Sequence, residues 1–191
     1  MKQLLKLTGC LALAGLFASC QSAQQEANYQ IIPMPQEMVT AQGTPFILKS
    51  GVKILYPEGN EKMQRNAQFL ADYLKTATGK DFAIEAGTEG KNAIVLTLDA
   101  ANENPESYQL KVAGDGITIA GPTEAGVFYG IQSLRKSLPV AVGADISMPA
   151  VEINDAPRFG YRGAHFDTSR HFFTVDEVKT YIDMMALHNM N

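Results

Sequence analysis

The 191 residues are 46% hydrophobic and 19% charged, a globular composition that excludes a disordered chain. The net charge is −4, and the 16 basic residues form no stripe, which argues against nucleic acid as a partner. The length suits one domain, or one domain with pieces of another.

Residues 1–20, MKQLLKLTGCLALAGLFASC, place Lys2 and Lys6 before an apolar run from Leu7 to Ala18. That is the pattern of a secretory signal, too short for a stable membrane span. Its end, LFASC, resembles a bacterial lipobox, which makes Cys20 the expected lipidation site, with plain cleavage as the alternative. LTGC at 7–10 fits the lipobox spelling better, but no apolar core precedes it. Both cysteines fall in this segment, so the mature chain is expected to have no internal disulfide and no cysteine-based metal site. The polar residues 21–28 read as a tether. Gln21 rather than Asp follows Cys20, which by resemblance to sorting rules implies an outer-membrane lipoprotein, exported and facing the periplasm or the surface.

The ordered part is expected from residue 29, where Pro33 and Pro35 favour an extended entry. VKILY at 52–56 is a strand candidate. Met63, Ala67, Leu70, Leu74 and Ala77 then mark one face of a helix over 61–78, with Asn60 at its start and Gly79 at its end. FAIEA (82–86) and AIVLTL (93–98) read as strands. SYQLKV (107–112) and GITIAG (116–121) alternate, and the AGDG between them is hairpin chemistry, since Gly and Asp tolerate positive φ. Val127, Ile131, Leu134 and Leu138 mark a second helix, capped by Thr123. Residues 139–159, with Pro139, Pro149 and Pro157, read as a connection. The expected fold is α+β: a small two-layer domain over 29–156, with two helices on a mostly antiparallel sheet.

After Pro157, YRGAHFD is a strand candidate. Residues 175–187 are a helix candidate with Val178, Ile182 and Met185 as a buried stripe. Thr174 and Glu177 have capping-box spacing, so Asp176–Glu177 reads as a helix start rather than a catalytic pair. One strand and one helix cannot make a core, so 157–191 reads as the opening unit of a repeating β/α domain, truncated.

The stretch FGYRGAHFDTSRHFFTVDEV (159–178) holds two histidines, three acids, two arginines and five aromatics. With IIPMPQEM, ITIAGPTEAGVFYGIQSLRKSLP and VEINDAPRFGYRG, it resembles the N-terminal part of a family 20 glycoside hydrolase, the β-N-acetylhexosaminidases. The resemblance spans residues 29–191. It implies that 157–191 begins a catalytic (β/α)8 barrel, which typically needs about 250 residues. It also implies substrate-assisted retaining hydrolysis of terminal β-linked GlcNAc or GalNAc. In that chemistry the sugar's own acetamido carbonyl attacks the anomeric carbon while an Asp–Glu pair on a later strand assists. That pair would lie beyond Asn191, so no catalytic residue is assigned here and the 191 residues alone are expected to be inactive.

Arg162, in YRG, matches the family arginine that binds the hydroxyls of the terminal sugar. A guanidinium can fork two oxygens, and the other reading is a salt bridge to a nearby acid. Asp167 and Arg170 read as an ion pair fixing the next loop, and with His171 they are assigned an indirect role at the site. The spacing of His165, Asp167 and His171 matches no metal motif, and no metal or cofactor is expected. The expected partners are a carbohydrate ending in N-acetylhexosamine and a membrane reached only through the lipid. The alternative is a non-catalytic envelope lipoprotein that binds glycan or protein through its small domain.

Overall fold

The structure is a computed structural model and describes residues 25–99, 103–140 and 142–191. Cys20, LTGC and residues 21–24 lie outside the described residues. Among the described residues the larger sheet has seven strands: β2 (Glu37–Thr40), β4 (Lys53–Tyr56), β5 (Ile84–Ala86), β6 (Ala93–Leu98), β7 (Tyr108–Ala113), β8 (Gly116–Gly121) and β10 (Val151–Asp155). Their spatial order is β2-β10-β7-β8-β6-β4-β5. Helices α1 (Glu61–Thr78) and α2 (Glu124–Ser137) cover it. A smaller sheet joins β1 (Gln25–Glu26), β9 (Ile146–Met148) and β3 (Phe46–Leu48), in that order. Helix α3 (Val175–Leu187) stands after the sheets in the chain.

The α+β architecture is as expected, but the larger sheet is mixed rather than mostly antiparallel. The β2-β10-β7-β8 half is antiparallel, and β8-β6-β4-β5 is parallel. The parallel β4–β5 pairing follows from α1, which carries the chain back between the two strands, because parallel neighbours need crossovers rather than hairpins. Residues 139–159 are not a plain connection. They supply β9 and β10, and β10 is an interior strand. Pro149 and Pro157 flank β10 instead of interrupting it, so no ladder N–H is lost. Residues 25–26, read as tether, form β1, and the following Ala27 is buried.

Strand register aligns two apolar rows beneath the helices. One row runs Val151–Val112–Ile117–Ile94–Ile54, and the other Ile153–Leu110–Ile119–Leu96. Each of these side chains is at most 1% exposed. Met63, Leu70 and Leu74 from α1 and Val127, Ile131 and Leu134 from α2 complete the same core. Burying such a side chain is worth about 1.5–3 kcal/mol, so these rows fix which face the helices take.

The helix ends are built as the sequence indicates. The Asn60 side chain accepts from the Lys62 and Met63 amides, and Gly79 closes α1 at φ 72°. Asn60 also donates to Glu124 at 3.0 Å and Asn66 donates to the Glu124 carbonyl at 2.8 Å, which sets the two helix starts side by side. The β7–β8 hairpin turns at Gly114–Asp115 without positive φ at either residue. Gly114 is needed there for space, since a Cβ would fall 3.0 Å from the Thr44 carbonyl oxygen.

The start of α2 grips the loop before β7. Thr123 accepts from the Gly126 amide and donates to the Pro105 carbonyl. A Cβ on Gly126 would lie 2.2 Å from the Ser107 carbonyl oxygen, a backbone atom that cannot swing aside. Gly126→Ala is therefore expected to destabilise the protein by about 1–3 kcal/mol, measured as a lower urea midpoint with an unchanged m-value.

Candidate functional site

Glu106 sits on that gripped loop, one residue from each contact with α2. The Asn104 side chain holds its amide at 3.0 Å. Its carboxylate accepts from the Tyr129 hydroxyl of α2 at 2.9 Å. The same carboxylate receives Arg162, with Nη2 at 2.7 Å from Oε1, the oxygen that also accepts from Tyr129, and Nη1 at 3.1 Å from Oε2. This is a forked, charge-assisted pair between side chains only 15% and 23% exposed.

Every donor of Arg162 has an acceptor. Nε donates to the Asn189 carbonyl at 2.6 Å, Nη1 also to the Phe159 carbonyl at 2.7 Å, and Nη2 also to the Tyr129 hydroxyl at 3.1 Å. Two acceptors are local backbone, from either end of the 157–191 segment, and the rest belong to the helix-covered sheet unit. Asn191 closes the ring: its amide donates to the Arg162 carbonyl, and its side chain donates to the Gly160 carbonyl at 2.8 Å and to Glu106 at 3.4 Å. Arg162 thus makes the salt bridge that sequence reading weighed against sugar contact. The partner, Glu106, is 56 residues away, and no local spacing points to it.

A cavity of about 300 Å³ opens beside Arg162, lined among others by Tyr108, Tyr129, Asp155, Phe159 and His188. Asp155 ends β10 and is tied down by the Tyr108 hydroxyl at 3.0 Å and the Gln36 amide at 3.1 Å. Burial raises the Tyr108 hydroxyl well above the ordinary tyrosine value, with the Asp155 charge adding. Nearby Lys136 buries its Nζ without a hydrogen-bond partner among the described residues, and that burial pushes its pKa down to about 8 against the pull of Asp155.

The remaining sequence-named residues lie along 161–177. YRGAHFD is not a strand. Residues 161–167 have no ladder, because among the described residues no strand lies alongside to pair with them. Asp167 and Arg170 do pair, at 2.9 Å, with Arg170 otherwise exposed, and Asp167 also accepts the Ser169 and Arg170 amides. His171 packs edge-on against Phe173, whose ring stacks with Phe166, which in turn meets Tyr181. Thr174 and Glu177 form the full capping box, and the Thr174 amide and hydroxyl hold the Glu177 carboxyl below its ordinary value. The stripe expected on α3 is not buried: Val178 and Met185 are half-buried and Ile182 is 57% exposed. Among the described residues nothing packs over that side of the helix closely enough to bury it, and no three His, Cys, Asp or Glu converge on a metal position.

Residues 28–156 match the model of "Glycosyl hydrolase family 20, domain 2", and residues 159–191 match "Glycosyl hydrolase family 20, catalytic domain". The chain belongs to glycosyl hydrolase family 20. It is 34% identical to a beta-hexosaminidase of Porphyromonas gingivalis, over 94% of this chain and 24% of that protein. The GH20 β-N-acetylhexosaminidase of Streptomyces coelicolor A3(2) superposes with a TM-score of 0.78 at 34% identity, over 88% of this chain and 35% of that one. A mutant Streptomyces plicatus β-hexosaminidase in complex with product (GlcNAc) superposes at 0.74, again at 34% identity, over 84% and 33%. The chain therefore spans about a quarter to a third of the length of these three relatives.

Arg162 holds the Glu106 carboxyl below its ordinary value of 4.5, with Tyr129 and Asn191 adding and burial opposing. A carboxyl depressed in the folded state contributes stability that is complete above its unfolded value and is lost as pH falls through the folded one. Peptic cleavage within 157–191, taken relative to cleavage of an unfolded reference peptide, is expected to quicken only as pH falls below about 4.5, and Glu106→Gln should cleave fast on that relative scale with much less pH dependence.

Proposed function

We propose that this chain is the N-terminal part of an exo-acting β-N-acetylhexosaminidase that removes terminal β-linked GlcNAc or GalNAc from glycans by substrate-assisted retaining catalysis. The observation that carries the reading is the succession of two family 20 domain models, in order, along residues 28–191. The relatives' names, beta-hexosaminidase and β-N-acetylhexosaminidase, supply the substrate class. The reacting nucleophile is then the substrate's acetamido oxygen, and the assisting Asp–Glu pair belongs to sequence after Asn191. The 191 residues by themselves have no turnover.

In this reading Arg162 holds hydroxyls of the terminal sugar, its rigid fork of donors suited to paired oxygens. Asp167, Arg170 and His171 shape the following loop and act on substrate only indirectly. Cys20 carries the lipid, and the mature protein is an outer-membrane lipoprotein facing the periplasm or the surface.

The coding DNA read past the Asn191 codon should stay open for a barrel's length and encode an adjacent Asp–Glu pair. The protein from that frame should hydrolyse an aryl N-acetyl-β-glucosaminide with retention of the β anomer. Arg162→Ala in that protein should lower kcat/KM about 10- to 100-fold, the loss of a charge-assisted hydrogen bond. A stop codon directly after Asn191 would sink the enzyme reading for this product. For the anchor, Cys20→Ala should abolish incorporation of labelled palmitate and release the protein from the membrane fraction.

A further inference from the structure

We propose that Glu106, from the small domain, is a positioning residue for the sugar-binding Arg162, and that the Tyr129 hydroxyl is a placeholder which the sugar displaces. The proposal rests on the sugar-binding reading of Arg162 given above. Its geometry is independent of that reading. Five N–H donors meet five acceptor contacts, so no sugar hydroxyl can bind the guanidinium unless one acceptor leaves.

The five contacts differ in how readily they can be given up. The two carbonyls, of Phe159 and Asn189, are backbone and belong to the same short segment as Arg162. The two Glu106 oxygens carry the charge that keeps Arg162 in place at low exposure, and separating them would leave both ions unpaired in a poorly solvated site. Tyr129 offers a neutral oxygen, at the joint-longest distance of the five, 3.1 Å from Nη2. Its own proton goes to Glu106, not to Arg162. A sugar hydroxyl is chemically the same acceptor. It can therefore take the place of the Tyr129 oxygen on Nη2 while the Tyr129–Glu106 bond and the Glu106–Arg162 fork persist. The Tyr129 ring, with the guanidinium carbon 5.3 Å from its centroid, stays as a wall in either state.

Two substitutions then change substrate affinity by different amounts. In the protein expressed from the complete reading frame, Glu106→Gln should raise KM for an aryl N-acetyl-β-glucosaminide about tenfold with kcat within about twofold, the pattern of lost uniform binding. Glu106→Asp, which keeps the charge, should recover part of that loss. Tyr129→Phe frees the Nη2 donor while also removing one hydrogen bond to Glu106, and should change KM by no more than about threefold. Combining Glu106→Gln with Arg162→Ala should be no worse than Arg162→Ala alone, because Glu106 acts through the arginine. A Glu106→Gln protein that loses thermal stability but keeps its KM, while Arg162→Ala still raises KM, would overturn the positioning role and leave the sugar-binding reading intact. A rise in KM for Tyr129→Phe as large as that for Glu106→Gln would overturn the placeholder. An Arg162→Ala protein with unchanged KM would overturn the sugar-binding reading itself.

Discussion

A guanidinium never loses its charge and presents five donors in one plane, so it can leave water only where five acceptor contacts await it. That requirement organises the junction in this molecule. The loop at 105–107 is fastened to the start of α2 so that Glu106 faces Tyr129. The 157–191 segment is then drawn onto that pair chiefly by Arg162, with the Asn191 side chain adding a contact to Glu106. Apolar packing does little of the work, since no residue of α3 is buried. The segment is held by polar geometry, whereas the sheet unit is held by its two apolar rows.

This division explains which features can be read from the residue string. Local devices are legible because their partners lie within a few residues. Asn60, Gly79, Thr123 and the Thr174–Glu177 box all act where their spelling places them. The β7–β8 hairpin is legible from alternation, although Gly114 turns out to serve a close approach to Thr44 rather than a positive φ. The Asp167–Arg170 pair is legible for the same reason, being three residues apart.

Long-range features are not legible. Strand β10 is hidden among prolines, and nothing local says that they stand just outside it. The three-residue strands β3 and β9 are too short to show a period, and they are defined by pairing to each other and, for β9, to β1. Residues 161–167 have a strand-like composition, but a strand exists only where a neighbour accepts its hydrogen bonds, and here none does. Arg162 can be singled out by its motif. Glu106 cannot, because it earns its place through a contact across half the sheet unit.

The position of β10 also bears on how the molecule is made. Among the described residues, strand β2 pairs with β10 alone, and β10 separates it from β7. Residues 37–40 are therefore synthesised more than a hundred residues before the only strand that receives them. On the ribosome, the antiparallel half of the sheet stays two strands short, with β10 unmade and β2 unpaired, until Asp155 has emerged, while the parallel half and both covering helices can already be assembled. Sheet closure is thus a late, non-local step, of the kind that slows folding. The strand that completes it also delivers the chain directly to Arg162, so the small domain closes just before the residue that docks on it arrives.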